Sequence, residues 1–182
     1  MRTPGPWRSG STGSRAMRAP TGAAPPREHS GRLVAVEIDP ASLSTAQTFI
    51  DAERRTAIHD LVADNRFSPG GRGGAYSLRL SIADRKLVLD VADESGAPVV
   101  RHILSLTPLA RVIKDYFIVC ESYYEAVRIA PPSRIEAIDM GRRGIHNEGA
   151  EVLVGRLSGK IDMDFETARR LFTLVCALRW RG

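Results

Sequence analysis

Six polar residues in the C-terminal third, Asp139, Arg142, Arg143, His146, Asn147 and Glu148, form the densest set in the chain that could share one surface. An acid, two guanidinium groups and an imidazole at this spacing suit two kinds of chemistry. Arginine forks hold a carboxylate or phosphate through paired N–H donors. A histidine oriented by an acid moves a proton. On a helix, Asp139 and Arg143 would lie on adjacent turns, and so would Arg142 and His146. His146 and Asp139 are therefore the candidates for proton transfer, and Arg142, Arg143, Asn147 and Glu148 for ligand binding. The same residue types also make an ordinary salt-bridged face that fastens a helix to its neighbour.

Other stretches offer less. Cys120 and Cys176 fit neither a zinc spacing nor a CxxC redox pair and read as buried apolar fillers with free thiols. Gly70, Gly71, Gly73 and Gly74 surround Arg72, but a strand pattern follows them and no GK[ST] is present. A loop is the better reading than a phosphate cradle. His59 falls on the polar side of its helix, as a solvated residue. His102 alternates in step with Val100 and Leu104, as a histidine satisfied beneath a helix. Neither a metal nor a cofactor is expected.

Hydrophobic periodicity places these residues on elements. Residues 32–39 alternate Val34, Val36 and Ile38 inward, a half-buried strand ended by Pro40. Thr48 with Asp51 caps a helix that gathers Ile50, Ala57, Ile58, Leu61 and Val62 on one side. Three strands follow across residues 76–106, joined at Asp84–Arg85 and at residues 93–96, an antiparallel meander with one buried face. Thr107 and Pro108 predict a capped helix start, and the stripe from Leu109 to Val127 makes the following helix the best defined of the chain. Ile118 on its polar side hints at a partner surface. Ser133 and Glu136 form a capping-box pattern after Pro131–Pro132. Gly141, Gly144, Gly149 and Gly155 then weigh against an uninterrupted helix over 133–157, which leaves one helix with close backbone packing or two helices broken near Gly144, the break slightly favoured. Residues 159–164 connect to a last helix capped by Asp162 or Asp164, its apolar stripe wide enough to be buried. Arg169 and Arg170 lie on that helix's remaining face.

The expected fold is α+β: a mostly antiparallel sheet of about four strands covered on one face by three to four helices. Residues 32–182 form a single globular domain. Residues 1–31 are rich in Gly, Pro, Ser and Thr and read as a disordered basic tail, or as an over-extended gene start, since Met17 lies within it. Five arginines against Glu28 alone give this tail +4 of the chain's net +5. The remainder is nearly neutral, which makes nucleic acid a weakly supported partner despite a pI of 9.7. No run approaches the ~20 apolar residues of a membrane span. A cytoplasmic setting is expected.

Whole phrases of the chain, RIEAIDMGRRGIHNEGAEVL, GKIDMDFETARRLFTLVCAL and IKDYFIVCESYYEAV, resemble the alphaproteobacterial uncharacterised protein family 0262 (UPF 0262), over roughly Arg32 to Trp180. The resemblance implies a small cytosolic bacterial protein of about one domain. It assigns no activity and no catalytic residue. The leading expectation is a non-enzymatic regulatory or protein-interaction module. The alternatives are an enzyme acting on an anionic or phosphorylated substrate, and nucleic-acid binding through Arg142, Arg143, Arg169 and Arg170.

Overall fold

A computed structural model describes residues 30–43 and 48–179. The tail expected at 1–31 falls almost wholly outside the described residues, and so does the cap expected from Thr48. The elements in chain order are β1 (Gly31–Ile38), α1 (Thr48–Ala63), β2 (Phe67–Pro69), β3 (Gly74–Ala83), β4 (Lys86–Asp93), β5 (Pro98–Ser105), α2 (Ala110–Ile129), α3 (Pro132–Leu157), β6 (Ile161–Met163) and α4 (Phe165–Arg179).

The main sheet has four strands in the order β1-β3-β4-β5. Strands β3, β4 and β5 are the antiparallel meander, and β1 joins β3 in parallel. The β3–β4 hairpin turns at Asp84 and Arg85, both with positive φ (49° and 62°), a backbone that matches the twist of the strands it joins. Leu78, Leu80, Leu87, Leu89 and Leu104 share one buried core with α2, α3 and α4. The opposite sheet face carries Arg79, Arg101 and Ile103 to solvent. The architecture is α+β, as the alternation of apolar residues implies.

Local packing changes several readings. In β1 a register shift between Leu33 and Ala35 moves the alternation by one residue. Leu33 and Val36 are buried as a result, while Val34, expected inside, is 41% exposed. Within the expected 65–75 loop, Phe67–Pro69 forms β2, which pairs with β6 in a second, two-stranded sheet. Thr107–Leu109 is a 3-10 turn, and α2 begins only at Ala110. Ser105 Oγ, rather than Thr107, accepts a backbone N–H there, that of Thr107 itself. His102 lacks the partner expected for it: its Nε2 is sealed with no hydrogen bond among the described residues. Burial lowers its pKa and the nearby Lys160, a cation with nothing to accept a proton, lowers it further.

The largest departure is α3. It is one helix of 26 residues with no break at Gly144. Pro131 is extended and acts as the cap, with Pro132 at the first helical positions, so Ser133 already lies inside the helix and its box with Glu136 does not form. The glycines have separate reasons. A Cβ at Gly144 would meet open space, whereas one at Gly149 would lie 2.4 Å from the Phe172 ring of α4. Gly149 is thus the point where α3 and α4 approach closely. Packing against α2 and α4 offsets the low intrinsic helicity. Asp164 caps α4 as expected, its Oδ1 accepting the Thr167 N–H at 2.7 Å.

Two glycine substitutions should separate these roles. Gly149→Ala overpacks the α3–α4 contact and is expected to lower unfolding free energy by about 1–3 kcal/mol. Gly144→Ala meets no atom and should stabilise by up to ~1 kcal/mol. Urea unfolding of both variants checks the pair.

Candidate functional site

The four helices frame an open cleft of about 390 Å³. α1 contributes Glu53, Thr56 and Asp60, a spacing of three and four that keeps them on one helical stripe. Tyr124 comes from α2, and Arg142 with His146 from successive turns of α3. Glu166, Arg169, Arg170 and Thr173 come from α4.

Arg142 ties these walls together. Its side chain is only 22% exposed. Nη1 donates to Glu53 Oε1 at 3.1 Å, Nη2 and Nε donate to Asp139 Oδ1 at 3.0 and 3.2 Å, and the guanidinium lies 4.5 Å from the Tyr123 ring centre. The Tyr124 hydroxyl donates to the same Glu53 Oε1 at 2.9 Å. Burial and the Glu53 carboxylate push the Tyr124 pKa up to about 12, so it stays a donor. Burial disfavours the charged form of Arg142, yet Glu53 and Asp139 outweigh it and hold its pKa above the ordinary value. Burial likewise works against ionised Asp139, and Arg142 and Arg143 overcome it to lower its pKa.

His146 is stacked on Tyr116 at 5.3 Å and meets the edge of Phe172 at 6.3 Å. Burial first, then the charges of Arg142 and Arg169, lower its pKa to about 4, with Asp139 opposing in part. The ring is therefore neutral at pH 7. Its Nε2 has no hydrogen-bond partner among the described residues, and neither has Arg169 Nε. Arg169 spends Nη1 on Glu166, at 3.0 Å.

The six residues singled out by sequence do not make one site. Arg142 and His146 line the cleft. Asp139 stands behind Arg142 and also accepts Arg143 Nε at 2.9 Å. Arg143 is 71% exposed and Asn147 is exposed, both outside the cleft. Glu148 pairs with Arg111 of α2. The residues that sequence reasoning missed are Glu53 and Tyr124. Glu53 sits on the polar side of α1 and Tyr124 in the apolar stripe of α2, and nothing local distinguishes either from a solvated acid or a core aromatic. Arg169 and Arg170 were visible as a basic pair. Among the described residues, no group of three or more His, Cys, Asp or Glu is placed to hold a metal ion.

Fold and site define an α+β protein with a charged cleft between helices. Comparison with known sequences is specific: the model of the Uncharacterised protein family (UPF0262) matches residues 30–181, and the chain belongs to that family. A UPF0262 protein of Xanthobacter autotrophicus is 58% identical over 160 residues, covering 87% of this chain and 98% of that one. Relatives from Mesorhizobium japonicum and Brucella canis are 57% and 56% identical over 153 residues, covering 83% of this chain and 94% and 95% of theirs. No solved structure matches the chain. Among the described residues, no helix is long and apolar enough to cross a membrane.

The depressed His146 pKa has a consequence for stability. In the unfolded chain the ring titrates near 6.5, and in the fold near 4. Between those values the unfolded state binds more protons, so stability falls as pH drops through this window. By pH 5 the loss from this group is about 2 kcal/mol. Unfolding measured at pH 7 and pH 5 should show that much less pH dependence in His146→Gln than in the wild type.

Proposed function

We propose that this chain is a non-enzymatic regulatory protein that binds a small polar molecule in the cleft between α1 and α4. One observation carries the reading. Two nitrogens of the cleft residues, His146 Nε2 and Arg169 Nε, are sealed from solvent without a hydrogen bond among the described residues. Each such atom costs about 1–3 kcal/mol, and native structures leave few of them. A polar ligand seated in this cleft, against α3 and α4, would satisfy them after a small rotation of Arg169 away from Glu166, whose side chain is 59% exposed.

The chemistry of the same residues favours binding over turnover. A histidine with a pKa of about 4 is a weak base near neutral pH, where proton transfer is most efficient with a pKa close to the working pH. Arg142 already donates to Glu53 and Asp139, which leaves little of its fork for a substrate. The arginines considered for nucleic acid are divided between the cleft and the outer flank, with Arg142 22% and Arg143 71% exposed, so they do not form one open strip.

A ligand in this position touches α1, α3 and α4 together, so occupancy would bear on how they pack. Ile118, Ile129 and Met140, which are 54%, 89% and 68% exposed on α2 and α3, are the apolar contacts that a protein partner would use. Two free thiols, Cys120 and Cys176, support a reducing, cytoplasmic setting.

Ligand-observed NMR with a panel of small carboxylates, amino acids and phosphates tests the reading. At least one compound is expected to bind, to remain chemically unchanged after a day, and to bind about tenfold more weakly to Arg169→Gln. A compound converted by the protein would contradict the non-enzymatic part. A panel without a binder would contradict the binding part.

A further inference from the structure

The charges around the cleft point to a narrower ligand class. Three arginines line it, Arg142, Arg169 and Arg170, and three carboxylates, Glu53, Asp60 and Glu166. The formal charge is balanced, so a bare anion gains no net attraction, and neither does a bare cation. The signs are nevertheless separated in space. α1 presents only acids, Glu53 and Asp60, with the Thr56 hydroxyl between them on the stripe. α4 presents Arg169 and Arg170 across the gap, with Glu166 paired to Arg169 at the edge.

These groups differ in how far they are already engaged. Glu53 is 17% exposed and accepts from both Arg142 and Tyr124. Asp60 is 46% exposed, and its side-chain contact is with His59, itself 82% exposed. Surface pairs of this kind are worth little and yield readily to a competitor. On α4, Arg169 lines the same cleft and keeps a buried Nε without an acceptor among the described residues. The cleft therefore has an acceptor on one wall and, once Arg169 turns from Glu166, a donor on another.

We infer that the ligand is a zwitterion of amino-acid size, its ammonium held by Asp60 and Thr56 of α1 and its carboxylate by Arg169 of α4, with His146 beside it. This inference rests on the binding reading above. The carboxylate takes the fork of Arg169 from Glu166, which swings to solvent. Neutral His146 Nε2 supplies a hydrogen bond without adding charge. The remaining lining, Ala52, Ala57 and Thr173, is small and weakly polar. It suits a short or apolar side chain over a charged one. A cleft of about 390 Å³ has room for such a molecule.

The test uses the full chain labelled with ¹⁵N and titrated with each of the common amino acids. Acetate, methylammonium and inorganic phosphate are run alongside, together with the N-acetyl and C-amide forms of any amino acid that binds. At least one free amino acid is expected to shift amide resonances around Thr56 in α1 and around Arg169 in α4. Its N-acetyl and C-amide forms should each bind at least tenfold more weakly. Asp60→Asn, an exposed position whose loss leaves the core intact, should weaken the free amino acid at least tenfold and leave the unliganded spectrum otherwise unchanged. N-acetyl forms, acetate or phosphate binding the cleft as tightly as the free amino acid would overturn the zwitterion while leaving a binding cleft. Shifts confined to other surfaces would overturn it as well. If no probe moves resonances of the cleft, the zwitterion and the binding reading fall together.

Discussion

A half-buried guanidinium is the constraint on which the helical layer depends. Arg142 sits on the inner side of α3, where an unpaired charge would cost several kcal/mol. The fold meets that cost with Glu53 from α1, Asp139 one turn back on α3, and the face of Tyr123 from α2. Only arginine combines a planar fork for two carboxylates with a face that stacks on a ring. Because Glu53 also accepts from Tyr124, one carboxylate oxygen fixes the register of α1 against both α2 and α3. The cleft is what remains between helices spaced in this way.

The same brace explains why the cluster read from sequence is not the cleft. Asp139 and Arg143 are one turn apart on one helix, so their pairing was legible from spacing, whereas the pairing of Asp139 with Arg142 was not read. Whether the pair faces solvent or a neighbouring helix depends on where α1 lies, and Glu53 is 89 positions away in sequence from Arg142. Strand alternation and the wide stripe of α4 fixed the α+β layering, because burial dictates period directly. The bulge in β1 and the 3-10 turn at Thr107 were not legible, and the continuity of α3 stood as one of two alternatives that the sequence left open. Two arise from contacts beyond the local window, a parallel neighbour and the ring of Phe172 against Gly149, and the third from Ser105 Oγ taking the Thr107 N–H, a local bond that the sequence pattern did not single out. Glycine in a helix reads in sequence either as a weak point or as a place of close packing, and the facing element decides between the two.

The chemical character of the cleft follows from opposite charges held near one another without full pairing. Arg142, Glu53 and Asp139 satisfy one another. Glu166 and Asp60 are more exposed, and the Arg169 pair with Glu166 is therefore open to exchange. A binding protein needs both, a braced frame and groups that can change partners at little cost. The burial that neutralises His146 belongs to the frame, since Tyr116 and Phe172 enclose it from the core side.

A double-mutant cycle on unfolding free energy, pairing Glu53→Gln with Arg142→Met, decides whether Arg142 braces the cleft. Coupled groups that share a network interact by about 0.5–3 kcal/mol. For a half-buried pair at 3.1 Å the account predicts a coupling of at least about 1 kcal/mol. Effects that add to within about 0.3–0.5 kcal/mol would contradict it and leave Arg142 free to serve a ligand instead.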